Sequence, residues 1–146
     1  MNSNEKNENT STVSTLELAY ESIDSSFGYI DYIISKISFL VEQINKNELN
    51  AANQSLIEVI DLMDLYIQLI SKVYQVIRLN QNDQVLQDQN IQKLEIHLLS
   101  VIKALLVAKE KNDLVMLCDL LEYELVDNLT QWKIKVLPEL KKSKNI

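Results

Sequence analysis

The sequence predicts an all-α protein, an antiparallel up-and-down bundle of four to five helices. Apolar residues recur at alternating spacings of three and four over long stretches, the signature of a buried helical stripe. Gly28 and Pro138 are the only glycine and proline among 146 residues, which leaves no material for a sheet of tight hairpins. Short polar segments separate the periodic stretches, and short connections make neighbouring helices antiparallel. A chain of this length forms one domain with a core of its own.

Met1 to Ser14 is Asn, Ser, Thr and Glu with a lone Val13. That composition buries too little to offset its ordering entropy, so residues 1–14 are expected to be a disordered polar tail. The bundle domain is expected over residues 15–140, followed by a basic C-terminal tail over 141–146.

The first helix carries Leu16, Tyr20, Ile23, Phe27, Ile30, Ile34, Ile37, Val41 and Ile44, a heptad seam without a fault. Glu17, Glu21, Asp24, Asp31, Lys36 and Glu42 flank it, as a water-facing side requires. Gly28 inside the pattern costs about 1 kcal/mol relative to alanine and marks either a break or a close approach of another helix. Asn45 to Glu48 is the first turn, where Asn can take the left-handed position that closes a helix.

The second helix is the most apolar stretch of the chain. Its seam runs Leu49, Ala52, Leu56, Val59, Met63, Tyr66, Ile70, Val73 and Ile77. Leu62, Leu69 and Val76 flank the seam on one side, and Ile60, Ile67 and Tyr74 on the other. More than half of the circumference is therefore apolar, and this helix needs cover on more than one side.

Asn80 to Asn90 is polar apart from Val85 and Leu86, and reads as a long connection or a frayed helix start with Asp83 or Asp88 as N-cap. The third helix points Ile91, Leu94, Leu98, Val101, Ile102, Leu105, Leu106 and Ala108 inward. After a turn at Lys109 to Asp113, the fourth runs from Leu114 through Cys118, Leu121, Leu125, Leu129, Trp132 and Val136. Pro138 is expected to end or kink it. The turns Lys46-Asn47-Glu48-Leu49 and Lys111-Asn112-Asp113-Leu114 echo one another, either from duplication of a helical hairpin or from common turn chemistry.

A net charge of −7 and a pI near 4.7 disfavour nucleic acid and anionic membranes, which reward clustered Lys and Arg. No apolar run reaches the ~18 to 20 residues of a membrane span, so no membrane insertion is expected. Cys118 is the single cysteine, and no apolar leader follows Met1. A cytoplasmic location is expected.

Chemistry is sparsely represented. His97 is the only histidine, and Leu94 stands where a Glu-x-x-His metal pair would need its glutamate. Cys118 lies on an apolar stripe with no histidine in its segment, the pattern of a core residue. Asp61, Asp64, Asp119, Glu122, Glu124 and Asp127 have the spacing of solvated helix faces, without a ligand loop. No catalytic, cofactor-binding or metal-binding residue is assigned, no cofactor is expected, and the chain is read as no enzyme.

Two segments resemble a known family. Ile37-Ser38-Phe39-Leu40 through Asn47-Glu48-Leu49-Asn50-Ala51-Ala52-Asn53-Gln54-Ser55-Leu56-Ile57, and Ala108 to Asp113 with Leu120-Leu121 and Trp132, are similar in turn placement to flagellin export chaperones of the FliS type. The leucine-tyrosine-aspartate-glycine stretch of that family is replaced here by Gly28-Tyr29-Ile30-Asp31-Tyr32. The resemblance implies a bacterial helical bundle that covers an apolar segment of another protein.

The expected function is therefore a small acidic protein-binding bundle, a chaperone or adaptor of flagellar or secretion type that covers an apolar helix of a partner. Leu62, Leu65, Leu69 and Val76 are its expected contact residues. The alternative is a homo-oligomeric structural or regulatory protein, its surplus apolar surface forming a homodimer.

Overall fold

The computed structural model describes the backbone of residues 2–80 and 86–143, and side chains within those ranges from residue 15 onward. Its elements are α1 (Asn2–Asn45), α2 (Leu49–Asn80), α3 (Gln89–Glu110) and a last continuous helix, α4, over 114–142. The protein is an all-α helical bundle.

Contacts between helices fix their directions. Lys36 pairs with Glu58 at 3.6 Å, while the Tyr29 hydroxyl donates to the Leu62 carbonyl at 3.5 Å, so α2 runs back along α1. Asp31 meets Lys133 at 2.6 Å, Asp24 meets Lys141 at 2.9 Å and Tyr20 meets Ser143 at 3.0 Å, so α4 is antiparallel to α1 as well. His97 and Leu94 of α3 face Glu124 and Asn128 of α4 in the same descending order. Thus α1 is the spine, packed on α2 along its length and on most of α4, and α3 lies on α4.

The predicted seams form the core. Tyr20, Ile23, Ile30, Ile37 and Val41 of α1 are buried, and Ile33 and Leu40, which widen the stripe in sequence, are buried too. On α2 the seam is buried from Ala52 to Ile77, with only Leu49 exposed. Leu106 of α3, predicted to face inward, is exposed, because it lies beside the stripe of Leu98, Val101 and Leu105.

The two turns share one geometry. Asn47 has φ 61° and Asn112 φ 53°. In each, the Asn N–H reaches three residues back, to Ile44 or Lys109, and the following acid's N–H reaches five back, to Gln43 or Ala108 at 2.9 Å. This is the Schellman closure of a helix, with Asn in the left-handed seat that glycine usually takes. Asp113 then accepts from the Met116 N–H at 3.1 Å and starts α4.

Several expectations are corrected. The backbone is helical from Asn2, where the composition predicts a disordered tail; no Gly or Pro interrupts residues 2–14, and a helix already nucleated downstream gains one bond per added residue. Gly28 neither breaks α1 nor admits a close neighbour: it is exposed, and a Cβ there would meet nothing within 4 Å. Pro138 does not end α4. The helix widens ahead of it into a π-helical stretch at Trp132–Val136, with the Leu137 N–H bonding to the Trp132 carbonyl, and continues as Leu137–Lys142. Proline cannot donate to the carbonyl four residues back, and the wider turn redistributes the bonds around that gap. A second π-helical stretch lies at Leu120–Leu125.

The basic end is part of the fold as well. Lys141 and Lys142 belong to α4, and Ser143 is buried against Tyr20. Between α2 and α3, Leu86 is buried and Asp88 caps α3, accepting from the Asn90 N–H at 2.8 Å. Asp83, the other candidate cap, lies outside the described residues.

Candidate functional site

The breadth of apolar surface on α2 is resolved unequally on its two flanks. Glu58, Leu62, Leu65, Leu69 and Val76 share the side that faces α1, as the Lys36–Glu58 pair and the Tyr29 hydrogen bond show. Leu62 packs on the core and Leu69 and Val76 are half-buried, whereas Leu65 is 55% exposed. These are the residues expected to bind a partner, and α1 occupies much of their side.

The opposite flank, bearing Ile67, Tyr74 and Ser71, borders a groove enclosing about 320 Å³ between α2 and α3. Among the described residues, the α2 and α3 backbones approach one another far less closely than those of α1 and α2. Leu98, Leu99 and Glu95 form the α3 wall, Gln75 and Arg78 the upper α2 rim. Trp132 enters from α4 at the start of the π-helical stretch that relieves Pro138. Widened turns of this kind recur where a helix carries a site.

Beneath the groove, three rings join three helices. Tyr29 of α1 and Tyr66 of α2 stack with centroids 6.3 Å apart, and Tyr66 meets Trp132 edge-on at 5.7 Å. Tyr66 is 0%, Trp132 2% and Tyr74 8% exposed. Yet Tyr66 Oη and Trp132 Nε1, both closed off from water, have no hydrogen-bond partner among the described residues, while the Glu95 carboxylate stands within reach of the Tyr74 hydroxyl. Burial pushes both phenols far above the ordinary tyrosine range, and at Tyr74 a hydrogen bond to Glu95, the charge of that carboxylate and the neighbouring Tyr66 push further, against an opposing pull from Arg78. Buried polar groups are nearly always bonded, because an unmade bond costs the full desolvation of the group. Two such groups, on Tyr66 and Trp132, lie beneath this groove.

A second groove of about 300 Å³ lies at the end of the bundle where the two turns meet, between Leu40 and Ile44, Leu49 and Asn53, and Asn112 and Leu114.

Other polar residues of α3 and α4 hold the two helices together. His97 Nε2 lies 2.8 Å from Glu124 Oε2, while its Nδ1 lies 2.9 Å from Asn128 Nδ2, which also donates to the Leu94 carbonyl. This network ties α3 to α4. Cys118 is half-buried, and burial, then Glu122 and Asp119, raises its thiol above the usual range, away from thiolate chemistry. Among the described residues no group of three or more His, Cys, Asp and Glu could hold a metal ion, and no helix is long and apolar enough to cross a membrane.

The sequence signalled the apolar breadth of α2, but the groove residues on the Ile67 and Tyr74 flank were not singled out. The two flanks have the same periodicity and nearly the same composition. Only the distance between α2 and α3 separates them.

The family described as Domain of unknown function (DUF8042) matches residues 21–135, which include the whole groove, and the chain belongs to that family. No curated protein and no solved structure matches it.

Proposed function

We propose that this member of the DUF8042 family is a small acidic protein-binding bundle, a cytoplasmic chaperone or adaptor whose α2–α3 groove receives an amphipathic helix from a partner protein. The observation that carries this reading is the groove itself: two helices that leave a cleft between apolar walls where a closely packed bundle would have none. Exposed Leu99 and Leu106 extend the α3 wall along the helix axis, at the spacing a helical guest presents. The resemblance to flagellin export chaperones supports a partner of flagellar or secretion type. No catalytic role is proposed.

The test is site-specific photo-cross-linking in the native host, with the reactive residue at Ser71 or Leu99 on the groove and, as control, at Ser38 on α1. The expected result is an adduct to one protein from the groove positions alone, mapping to an amphipathic helix. An adduct joining two copies of this chain would replace the reading with the homo-oligomeric one. Equal labelling from Ser38, or no adduct from the groove, overturns both.

A further inference from the structure

We infer that the outer face of the first half of α4 is a second docking surface, and that it takes a basic amphipathic helix of another protein. This face is separate from the α2–α3 groove and does not depend on what the groove binds.

Asp113, Met116, Leu120 and Tyr123 follow one another at intervals of three and four, and they line one shallow hollow together with Val115 and Asp119. They are not the core seam of α4. That seam is Leu117, Leu121 and Leu125, all buried. Val115 is 74% and Tyr123 68% exposed, and Met116 is exposed as well, so no helix of the described bundle covers this second row. The π-helical stretch at Leu120–Leu125 begins within it.

Charge decides what would cover the row. Between Asn112 and Gln131 the chain holds Asp113, Asp119, Glu122, Glu124 and Asp127 but neither Lys nor Arg, and all five acids are exposed. Elsewhere Asp24, Asp31, Glu42, Glu58 and Glu139 each meet a lysine. Among the described residues none of the five on α4 does; Glu124 meets His97. A second copy of this chain would set five acids against five, and an anionic membrane would be repelled in the same way. A helix with Lys and Arg beside an apolar stripe supplies both the cations and the cover that the row lacks.

The test titrates the full-length protein with three dye-labelled helical peptides, read by fluorescence anisotropy at low salt. They share one leucine stripe at heptad spacing and carry Lys, Gln or Glu beside it. The Lys peptide should bind about tenfold more tightly than the Gln peptide, the effect of a few exposed ion pairs, and the Glu peptide should bind weakest. High salt should close the gap. The Asp119→Asn/Glu122→Gln/Asp127→Asn variant should lose the preference for Lys. Glu21→Gln/Asp61→Asn/Asp64→Asn, which removes the same charge from exposed positions of α1 and α2, should keep it. Met116→Ser/Tyr123→Ser should weaken the Lys peptide by about tenfold through lost apolar cover. No binding, no preference for Lys over Gln, a preference lost equally in both charge variants, or binding unmoved by the serine substitutions overturns the inference. A dimer in light scattering that Tyr123→Ser dissolves overturns it in favour of a second copy. The peptide comparison on the unaltered protein stands even if a variant does not fold. A partner cross-linked at Ser71 without any peptide preference would leave the groove reading in place and remove this one.

Discussion

Asn47 and Asn112 occupy equivalent seats, each closing a long helix in the left-handed conformation with the same pair of backbone hydrogen bonds. A side chain with a Cβ costs about 1–2 kcal/mol in that region, less for Asn, and glycine costs nothing there. Replacing either with alanine should therefore lower stability by about 1 kcal/mol in urea melts, whereas Asn47→Gly or Asn112→Gly should leave it unchanged or slightly raised. Equal loss with Ala and Gly would show that the Asn side chain, not φ, matters.

Gly28 sits in the middle of α1 with open space where a Cβ would stand. Gly28→Ala should then stabilise the protein by about 1 kcal/mol through helix propensity and the entropy of the unfolded chain. Thermal melts of the single variant provide the measurement.

The buried phenols of the groove should weigh on stability in the unliganded protein. Tyr66→Phe removes an unpartnered hydroxyl and keeps the ring that bridges Tyr29 and Trp132. It should raise the unfolding free energy by as much as about 1–3 kcal/mol, whereas Trp132→Ala should lower it by about 3–5 kcal/mol by emptying the centre of the bundle. A destabilised Tyr66→Phe would mean that the hydroxyl is bonded in solution.

Alkaline pH should expose the same groups. Tyr66 and Tyr74 are raised above the ordinary value of 10.0, chiefly by burial, so above pH 10 the unfolded chain loses protons that the folded chain keeps. Their contribution is fully present below pH 10 and is lost as pH rises beyond it, at about 1.4 kcal/mol per pH unit for each buried tyrosine. Denaturation at a series of pH values from 8 to 11.5 should show a downward bend near 10, shallower in the Tyr66→Phe/Tyr74→Phe variant.

Much of the fold was legible because buried helices write their period into the sequence. The seam through Ile23, Ile30 and Ile37 and the repeated Lys-Asn-acid-Leu turns predicted α1, α2 and their closures, and the structure contains them. Pro138 was visible, but a proline announces only a missing donor; whether the helix stops or widens depends on the packing of Trp132, Val136, Leu137 and Leu140 on the core. The groove was hidden for a different reason. Ile60, Ile67 and Tyr74 repeat with the same interval as Leu62, Leu69 and Val76, so periodicity alone does not say which row a neighbouring helix approaches. Unpartnered hydroxyls cannot be read from sequence at all, since a tyrosine looks the same with or without a bond.

The pairing of α1 with α4 has a consequence for synthesis. Asp31 waits 102 residues for Lys133, and Tyr20 waits 123 for Ser143. As the chain emerges from the ribosome, α1 and α2 can close into a hairpin early, but the second apolar side of α1 stays bare until the last helix appears. The core of α1 is therefore closed by a segment made more than a hundred residues later, which couples the two ends of the described bundle into one cooperative unit.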